Sequence, residues 1–358
     1  MVNPDRMHIR ARAARGFDLP GEAVWVLDDP HAAGGGQVVG IAERLGEPFR
    51  RIALRWNVLA PLAMLARRGS LLGVAESGGG LGAALAVARA GAPPRLVLSA
   101  GSRSVPVALW LKERLGARLV HCLQPGLPML RHSGRFDLLV APGDALAPIL
   151  QQPLAAAPRA EGTVFPVLGL PHRVGPMALA QARAVWGERL DHLPRPVIAL
   201  LVGGPVRGTD LQPSRAHALG VAVARAAMAR GGSVVATTSR RTGAEATDAL
   251  AAGLGRCMHL IYRWGEPSEN PYLGFLALAD AIVVTADSLA MLSEACATDV
   301  PVHVALPELG GPRQRRLVAS LVQAGQVRLF RGELPVWPRT PLDEAGRVAA
   351  ELRRLELT

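Results

Sequence analysis

The stretch Thr237-Thr238-Ser239-Arg240-Arg241-Thr242-Gly243 packs four hydroxyls and two guanidiniums into seven residues. Guanidinium forks match the oxygens of phosphate and carboxylate, and short hydroxyls add donors without bulk, so this composition suits an oxyanion. A solvated loop with a helix-capping threonine would use the same residues. A second polar turn, Thr285-Ala286-Asp287-Ser288, precedes a segment whose Leu289, Leu292 and Cys296 share one apolar helical face. Asp287 or Ser288 can cap that helix by accepting an orphan backbone N–H. Glu294, seven residues beyond Asp287, falls on the same stripe. Gly203-Gly204-Pro205 makes a third such turn. Near the N-terminus, Asp28-Asp29-Pro30-His31 ends another apolar run. Gly34-Gly35-Gly36-Gln37 follows, a glycine turn that lets a ligand, or simply the chain itself, approach the backbone closely. Ser102, Arg103 and Asp144 occupy further turns of this kind.

Each turn directly follows a short apolar run: Ala23–Leu27, Leu96–Ser99, Phe136–Val140, Val197–Val202, Ser233–Ala236 and Ile282–Val284. Further runs at Ala117–His121, Thr163–Leu168 and His259–Tyr262 also read as strands, with helical periodicity between many of them. Strands alternating with helices imply parallel sheets, doubly wound, whose ligands lie at the strands' carboxyl ends. The pattern occurs twice, so the expected fold is α/β, two Rossmann-like doubly wound domains facing a cleft. Residues 1–20 read as a flexible basic tail, 21–185 as the N-terminal domain on the acceptor side, 186–330 as the C-terminal domain on the nucleotide side. Residues 331–358 read as a C-terminal helix packing back on the N-terminal domain. The boundary is placed in Pro171–Pro196, a polar, proline-punctuated segment carrying one short helix pattern.

With 358 residues, 49% hydrophobic and 19% charged, the chain is globular and large enough for two cores. Aromatics at 4% are too sparse for base-stacking platforms, so no specific nucleic acid is expected. The net charge of +11 permits peripheral contact with an anionic membrane, but Lys112 is the only lysine and the arginines are spread along the chain. Arginine for lysine beside abundant alanine reflects a GC-rich coding genome. Cys122, Cys257 and Cys296 form no CxxC pair and read as free buried thiols in a reducing compartment, without a metal site. The segment Leu71–Ala92 is apolar but broken by glycines and Glu76, and residues 1–20 lack an apolar signal core, which together point to the cytoplasm, peripheral to the inner membrane at most. Gly78-Gly79-Gly80-Leu81-Gly82-Ala83 matches GxGxxA but lacks the ribose-binding acid about 20 residues on, which argues against a sugar-nucleotide epimerase. Lys112 follows no phosphate-binding glycine loop, which excludes P-loop hydrolysis.

The segments GGGQVVGIAERLG, LVLSAGSRS, FDLLVAPGD, GLPHRV, LLVGGP, TTSRRTG and NPYLGFLALADAIVVTADSLAMLSEA together resemble the elongated-mitochondria (mitochondrial fission) protein family, from about Trp25 to Val304. Its plant members are associated with recruiting the division machinery to the mitochondrial surface; bacterial members have no settled activity. More distantly, the two-domain pattern is similar to GT-B glycosyltransferases, in particular the enzyme that adds N-acetylglucosamine to the lipid-linked peptidoglycan precursor. That likeness implies a nucleotide diphosphate sugar as ligand, no required cofactor or metal, and an envelope or lipid-linked glycan as acceptor. It implies that Glu294 holds ribose hydroxyls while Gly203, Gly204, Ser239, Arg240, Arg241, Thr242, Asp287 and Ser288 face the diphosphate. Gly35, Gly36, Gln37, Ser102, Arg103 and Asp144 would line the acceptor side. Gln37 stands where the related transferases carry a histidine base, and an amide cannot take a proton from an acceptor hydroxyl. Two functions follow: a transferase whose base is Asp29 or His31, or a non-catalytic scaffold that keeps the architecture and the nucleotide site without the chemistry.

Overall fold

The computed structural model describes residues 23–29, 35–63, 68–75, 80–122, 134–143, 163–204 and 211–358. These divide into two compact units, one within Met1–Leu139, Pro158–Val164 and Ala349–Thr358, the other within Val140–Ala157 and Phe165–Val348. His31, Asp144 and the tail of residues 1–20 lie outside the described residues.

The first sheet is built from β1 (Val24–Asp28), β2 (Phe49–Ala53), β3 (Leu96–Ala100), β4 (Arg118–Cys122), β5 (Leu138–Pro142) and β6 (Thr163–Val167), in the order β2-β1-β3-β4-β5-β6. Strand β1 pairs in parallel with both β2 and β3, and β3 with β4. Between them come α1 (Gly35–Leu45), α2 (Ala60–Ala63), α3 (Leu81–Arg89) and α4 (Ser104–Leu115). Strands β1 and β3 are buried runs, as expected of the middle of a parallel sheet. Strand β2, FRRIA, escaped the sequence reading because its two arginines hide its apolar alternation. It is an edge strand, where charge is tolerated and discourages pairing with another chain.

The second sheet comprises β7 (Val197–Val202), β8 (Ser233–Thr238), β9 (His259–Tyr262), β10 (Ala281–Thr285), β11 (Val302–Ala305) and β12 (Arg328–Leu329), in the order β12-β11-β10-β7-β8-β9. Its described pairings are parallel throughout. Successive residues of a strand point to opposite faces. On β7, Val197, Ala199 and Leu201 accordingly enter one core, while Ile198, Leu200 and Val202 enter another. The first core is closed by α5 (Pro176–Leu190), α8 (Tyr272–Leu278), α9 (Leu289–Ala295) and α10 (Pro312–Gln323), through Leu190, Phe275, Leu292 and Leu317 among others. The second is closed by α6 (Pro213–Met228) and α7 (Ala244–Leu254), through Val223 and Leu250. Both faces of the sheet are therefore covered. Helix α11 (Glu344–Arg354) ends the chain, and its Arg353 donates to the carbonyls of Arg44 and Leu45 at 2.7 and 3.0 Å.

Helix α5 is longer than the short pattern expected between Pro171 and Pro196: it runs fifteen residues from a proline at its first turn. Its surface is mostly exposed, so it lacks the strong apolar stripe that would reveal its length. The sequence reading puts Pro271 at the first helical position of α8 with Asn270 as its cap; in the structure the cap position is Pro271 itself, and the Asn270 side chain, one residue before it, accepts the Tyr272 N–H at 3.0 Å. Among the described residues no helix is long and apolar enough to cross a membrane.

Candidate functional site

The strand order of the second sheet defines where a ligand would sit. The chain starts at β7 in the middle, moves outward through β8 to β9, then returns to the other side of β7 with β10. Two loops leave β7 and β10 in opposite directions, and doubly wound sheets bind ligands outside the carboxyl ends at that reversal. Gly203-Gly204 leave β7, Ala286-Asp287-Ser288 leave β10, and Ser239–Thr242 leave the adjoining β8.

These three turns are tied to one another. The Gly203 N–H donates to Thr285 Oγ1 at 2.8 Å, and the Gly204 N–H donates to the Asp287 carboxylate. The Thr242 hydroxyl reaches the Val202 carbonyl at 3.2 Å and also meets the Gly203 carbonyl. It accepts the Ser239 N–H at 2.9 Å, and the Ser239 N–H is also bonded to the Val202 carbonyl at 3.0 Å. Side chains cannot replace the glycines: a Cβ at Gly203 would overlap the Asp287 carboxylate, and one at Gly204 would overlap the backbone of Arg241. The turn after β8 is thus held rigidly, with Arg240 and Arg241 exposed on it.

Asp287 and Ser288 divide the work that the sequence left open between them. Ser288 is the cap of α9, accepting the Met291 N–H at a long 3.4 Å. Asp287, only 2% exposed, is engaged with Gly204, and its carbonyl accepts from Gln314 Nε2 at 3.4 Å. A fixed negative charge therefore occupies the glycine amide that a phosphate would otherwise use. The cations of the β8 turn are the attractive groups for an oxyanion.

Further along α9, Glu294 Oε2 accepts the Tyr272 hydroxyl at 2.5 Å. Burial raises the Glu294 carboxyl above its ordinary range, and the Tyr272 bond pulls it partly back. Burial and the neighbouring carboxylate raise the Tyr272 phenol as well. Tyr272 carries no spacing signal relative to Glu294, which is why the sequence reading missed it. Ser293 fixes the turn after β6: its Oγ accepts the Leu170 N–H at 2.9 Å and donates to the Leu289 carbonyl at 2.8 Å. His172 Nε2 contacts the Ser293 carbonyl at 3.0 Å, and Glu344 accepts the Leu168 N–H at 3.2 Å. A Cβ at position 169 would stand 3.3 Å from Ser293 Oγ, a tight contact that the serine would have to yield to slightly.

In the first sheet the corresponding reversal lies between β1 and β3. Asp28 is paired with Arg51 at 2.6 Å. Asp29, 3% exposed, accepts the Trp56 indole N–H at 2.9 Å. Gly35 starts α1 against the Asp28 carboxylate, the space beside Gly36 is open, and Gln37 is buried within the first turn of the helix. Ser102 and Arg103 are half-buried just ahead of α4, whose Ser104 hydroxyl donates to the carbonyls of Ala100 and Gly101 at 2.8 and 2.9 Å. Asp28 and Asp29 thus share one strand end with Gly35 and Gln37. Among the described residues no group of three or more His, Cys, Asp or Glu side chains could hold a metal ion.

The family profile described as Mitochondrial fission ELM1 matches residues 34–355. The chain belongs to the mitochondrial fission ELM1 family. Within that ELM1 relationship, Mitochondrial fission protein ELM1 of Arabidopsis thaliana is 28% identical over 279 residues, 73% of this chain. The match spans 64% of the Arabidopsis protein's length, less than two thirds of it. An uncharacterized protein, RP120, of Rickettsia prowazekii (strain Madrid E) is 22% identical over 359 residues, 91% of this chain and 96% of that one. Among solved structures, the UDP-GlcNAc 2-epimerase of Methanocaldococcus jannaschii matches with a TM-score of 0.54 at 13% identity, covering 92% of this chain and 99% of that one. That likeness is one of fold, and the fold of this ELM1-family chain is GT-B-like: two doubly wound parallel sheets in one chain.

Proposed function

We propose that the protein binds a nucleoside diphosphate sugar at the carboxyl edge of its second sheet and transfers the sugar to an envelope or lipid-linked glycan. The observation that carries this reading is the turn after β8, in which Ser239 and Thr242 are tied to the end of β7 while Arg240 and Arg241 remain exposed. A rigid loop bearing two guanidiniums is prepared for a diphosphate, and offsets the charge that develops on it as a leaving group. Glu294 lies about 10 Å along the helix that follows the β10 turn. Its carboxylate, already used to accepting a hydroxyl from Tyr272, is suited to ribose hydroxyls. Asp29 is the base in this reading, with the Trp56 indole orienting its carboxylate.

Gln37 supports a second reading, a scaffold that binds nucleotide without turnover. It is buried at the start of α1, where an amide has no basic lone pair to receive a proton. Calorimetric titration with UDP, GDP and ADP tests the shared premise. Saturable binding of one nucleotide, lost in Arg240→Ala and Glu294→Ala, supports the site; no binding of any of them overturns it. Turnover of the matching nucleotide sugar, abolished by Asp29→Ala, then separates transferase from scaffold.

A further inference from the structure

We infer a second anion site in the protein, a pocket for a phosphoryl group beside the β12 edge of the second sheet and apart from the turns after β7, β8 and β10. The pocket encloses about 600 Å³ between the end of α10, strand β12 and the segment Trp337–Thr340. No lining residue is acidic. Arg328 lies on its wall with the guanidinium carbon 4.4 Å from the centre of the Trp337 ring. The indole is itself fixed, because Trp337 Nε1 donates to the Gly325 carbonyl at 3.1 Å and the His303 ring packs edge-on at 5.2 Å. Stacking holds the face of the guanidinium and leaves its N–H edge to be used, and Arg328 forms no ion pair with any described residue.

Arg339 organises the opposite wall without being available as a ligand group. A guanidinium has five N–H donors. Here they go to the carbonyls of Val300, Cys296, Ala295 and Thr298 and to Gln326 Oε1, at 2.7 to 3.2 Å. Because the oxygen of Gln326 is taken by Arg339, its amide nitrogen is left as a donor. Thr340, whose side chain carries a hydroxyl, lines the same space. The site therefore offers donors of three kinds, a guanidinium, an amide and a hydroxyl, in a volume far larger than a carboxylate fills, and that favours a group with three or four oxygens. The carboxyl end of α10 brings about half a negative charge. In its last turn the carbonyls of Ser320, Leu321 and Val322 are already satisfied, by the N–H groups of Ala324, Gly325, Gln326 and Val327. The full charges of Arg328 and Arg339 outweigh it. Val322 on the rim and Val336 beside Trp337 are exposed apolar residues that would suit a lipid phosphate.

The test uses the full chain with two kinds of probe: inorganic phosphate and glycerol 3-phosphate by calorimetry, and sedimentation with phosphatidylcholine vesicles with or without phosphatidic acid. Arg328→Ala, an exposed position that the fold tolerates, is expected to weaken binding about tenfold or more, as loss of a charge-assisted contact should. Arg183→Ala, at an exposed position on α5 outside both sites, is expected to leave it unchanged. Binding of soluble phosphate esters that Arg328→Ala weakens supports the site with a soluble ligand. Binding confined to phosphatidic-acid vesicles and weakened by the same variant supports it with a lipid headgroup. Absence of binding in every arm, or binding that Arg328→Ala and Gln326→Leu both leave intact, overturns it.

Discussion

The Tyr272 hydroxyl donates to Glu294 Oε2 at 2.5 Å, joining the start of α8 to the last turn of α9. Burial raises the Glu294 carboxyl, so the folded protein holds that proton more tightly than the unfolded chain. Its contribution to stability is complete below the ordinary value of 4.5 and is lost as pH rises through the raised one. The tyrosine bond limits that loss. Tyr272→Phe should therefore be nearly silent in acid and cost about 1–3 kcal/mol at neutral pH, where a buried carboxylate is left without its donor. Urea midpoints measured at about pH 4 and pH 7 check it. An equal cost at both would show that the hydroxyl does not act through Glu294.

Thr242 joins the β8 turn to the end of β7 through one hydroxyl. Thr242→Val keeps the shape and removes these bonds, and should cost about 1–3 kcal/mol. Thr242→Ser should restore most of it. If the turn presents Arg240 and Arg241 to a diphosphate, nucleotide affinity should fall in the valine variant and recover in the serine one, as read by titration.

Asp287 places a carboxylate on the Gly204 amide. Asp287→Asn keeps an oxygen for that N–H and removes the charge. For a diphosphate bound nearby, removing a like charge should tighten binding roughly three- to tenfold. A weaker or unchanged affinity in titration would mean that the ligand does not approach this carboxylate.

Ser288→Ala should cost only about 0.5 kcal/mol, the low end for a helix cap, because its bond to the Met291 N–H is long. A thermal melt that drops much further would reveal a contact beyond capping.

The thiols of Cys122 and Cys296 are pushed up to about 12 by burial, and that of Cys257 is raised for the same reason. Thiolate is the reactive form. Iodoacetamide at neutral pH should leave all three unmodified in the native protein and label them once it is unfolded, with mass spectrometry as the readout.

Much of the fold was legible because it rests on burial. Strands such as β7 and β10 are short, near-continuous apolar runs, as expected of the middle of a parallel sheet covered on both faces. Strand β2 was hidden by Arg50 and Arg51, and α5 by its exposed surface. At the candidate site the turn residues could be named from composition, whereas their bonding could not. Nothing in the spacing of Gly204 and Asp287, or of Tyr272 and Glu294, reports that each pair meets, since contact across strands depends on register and not on separation along the chain. The choice between Asp287 and Ser288 as helix cap was likewise settled by the neighbouring glycine turn.

The second sheet is complete at Leu329, yet the chain does not finish its work there. Arg339 gathers four carbonyls around the end of α9, and the Leu342 N–H adds a bond to Cys296 at 2.8 Å. A protein shortened after its last strand would keep every β-element and lose the plug that closes the helix carrying Glu294. Secondary-structure content would survive such a cut better than cooperative melting, so circular dichroism alone would misjudge the fragment as intact.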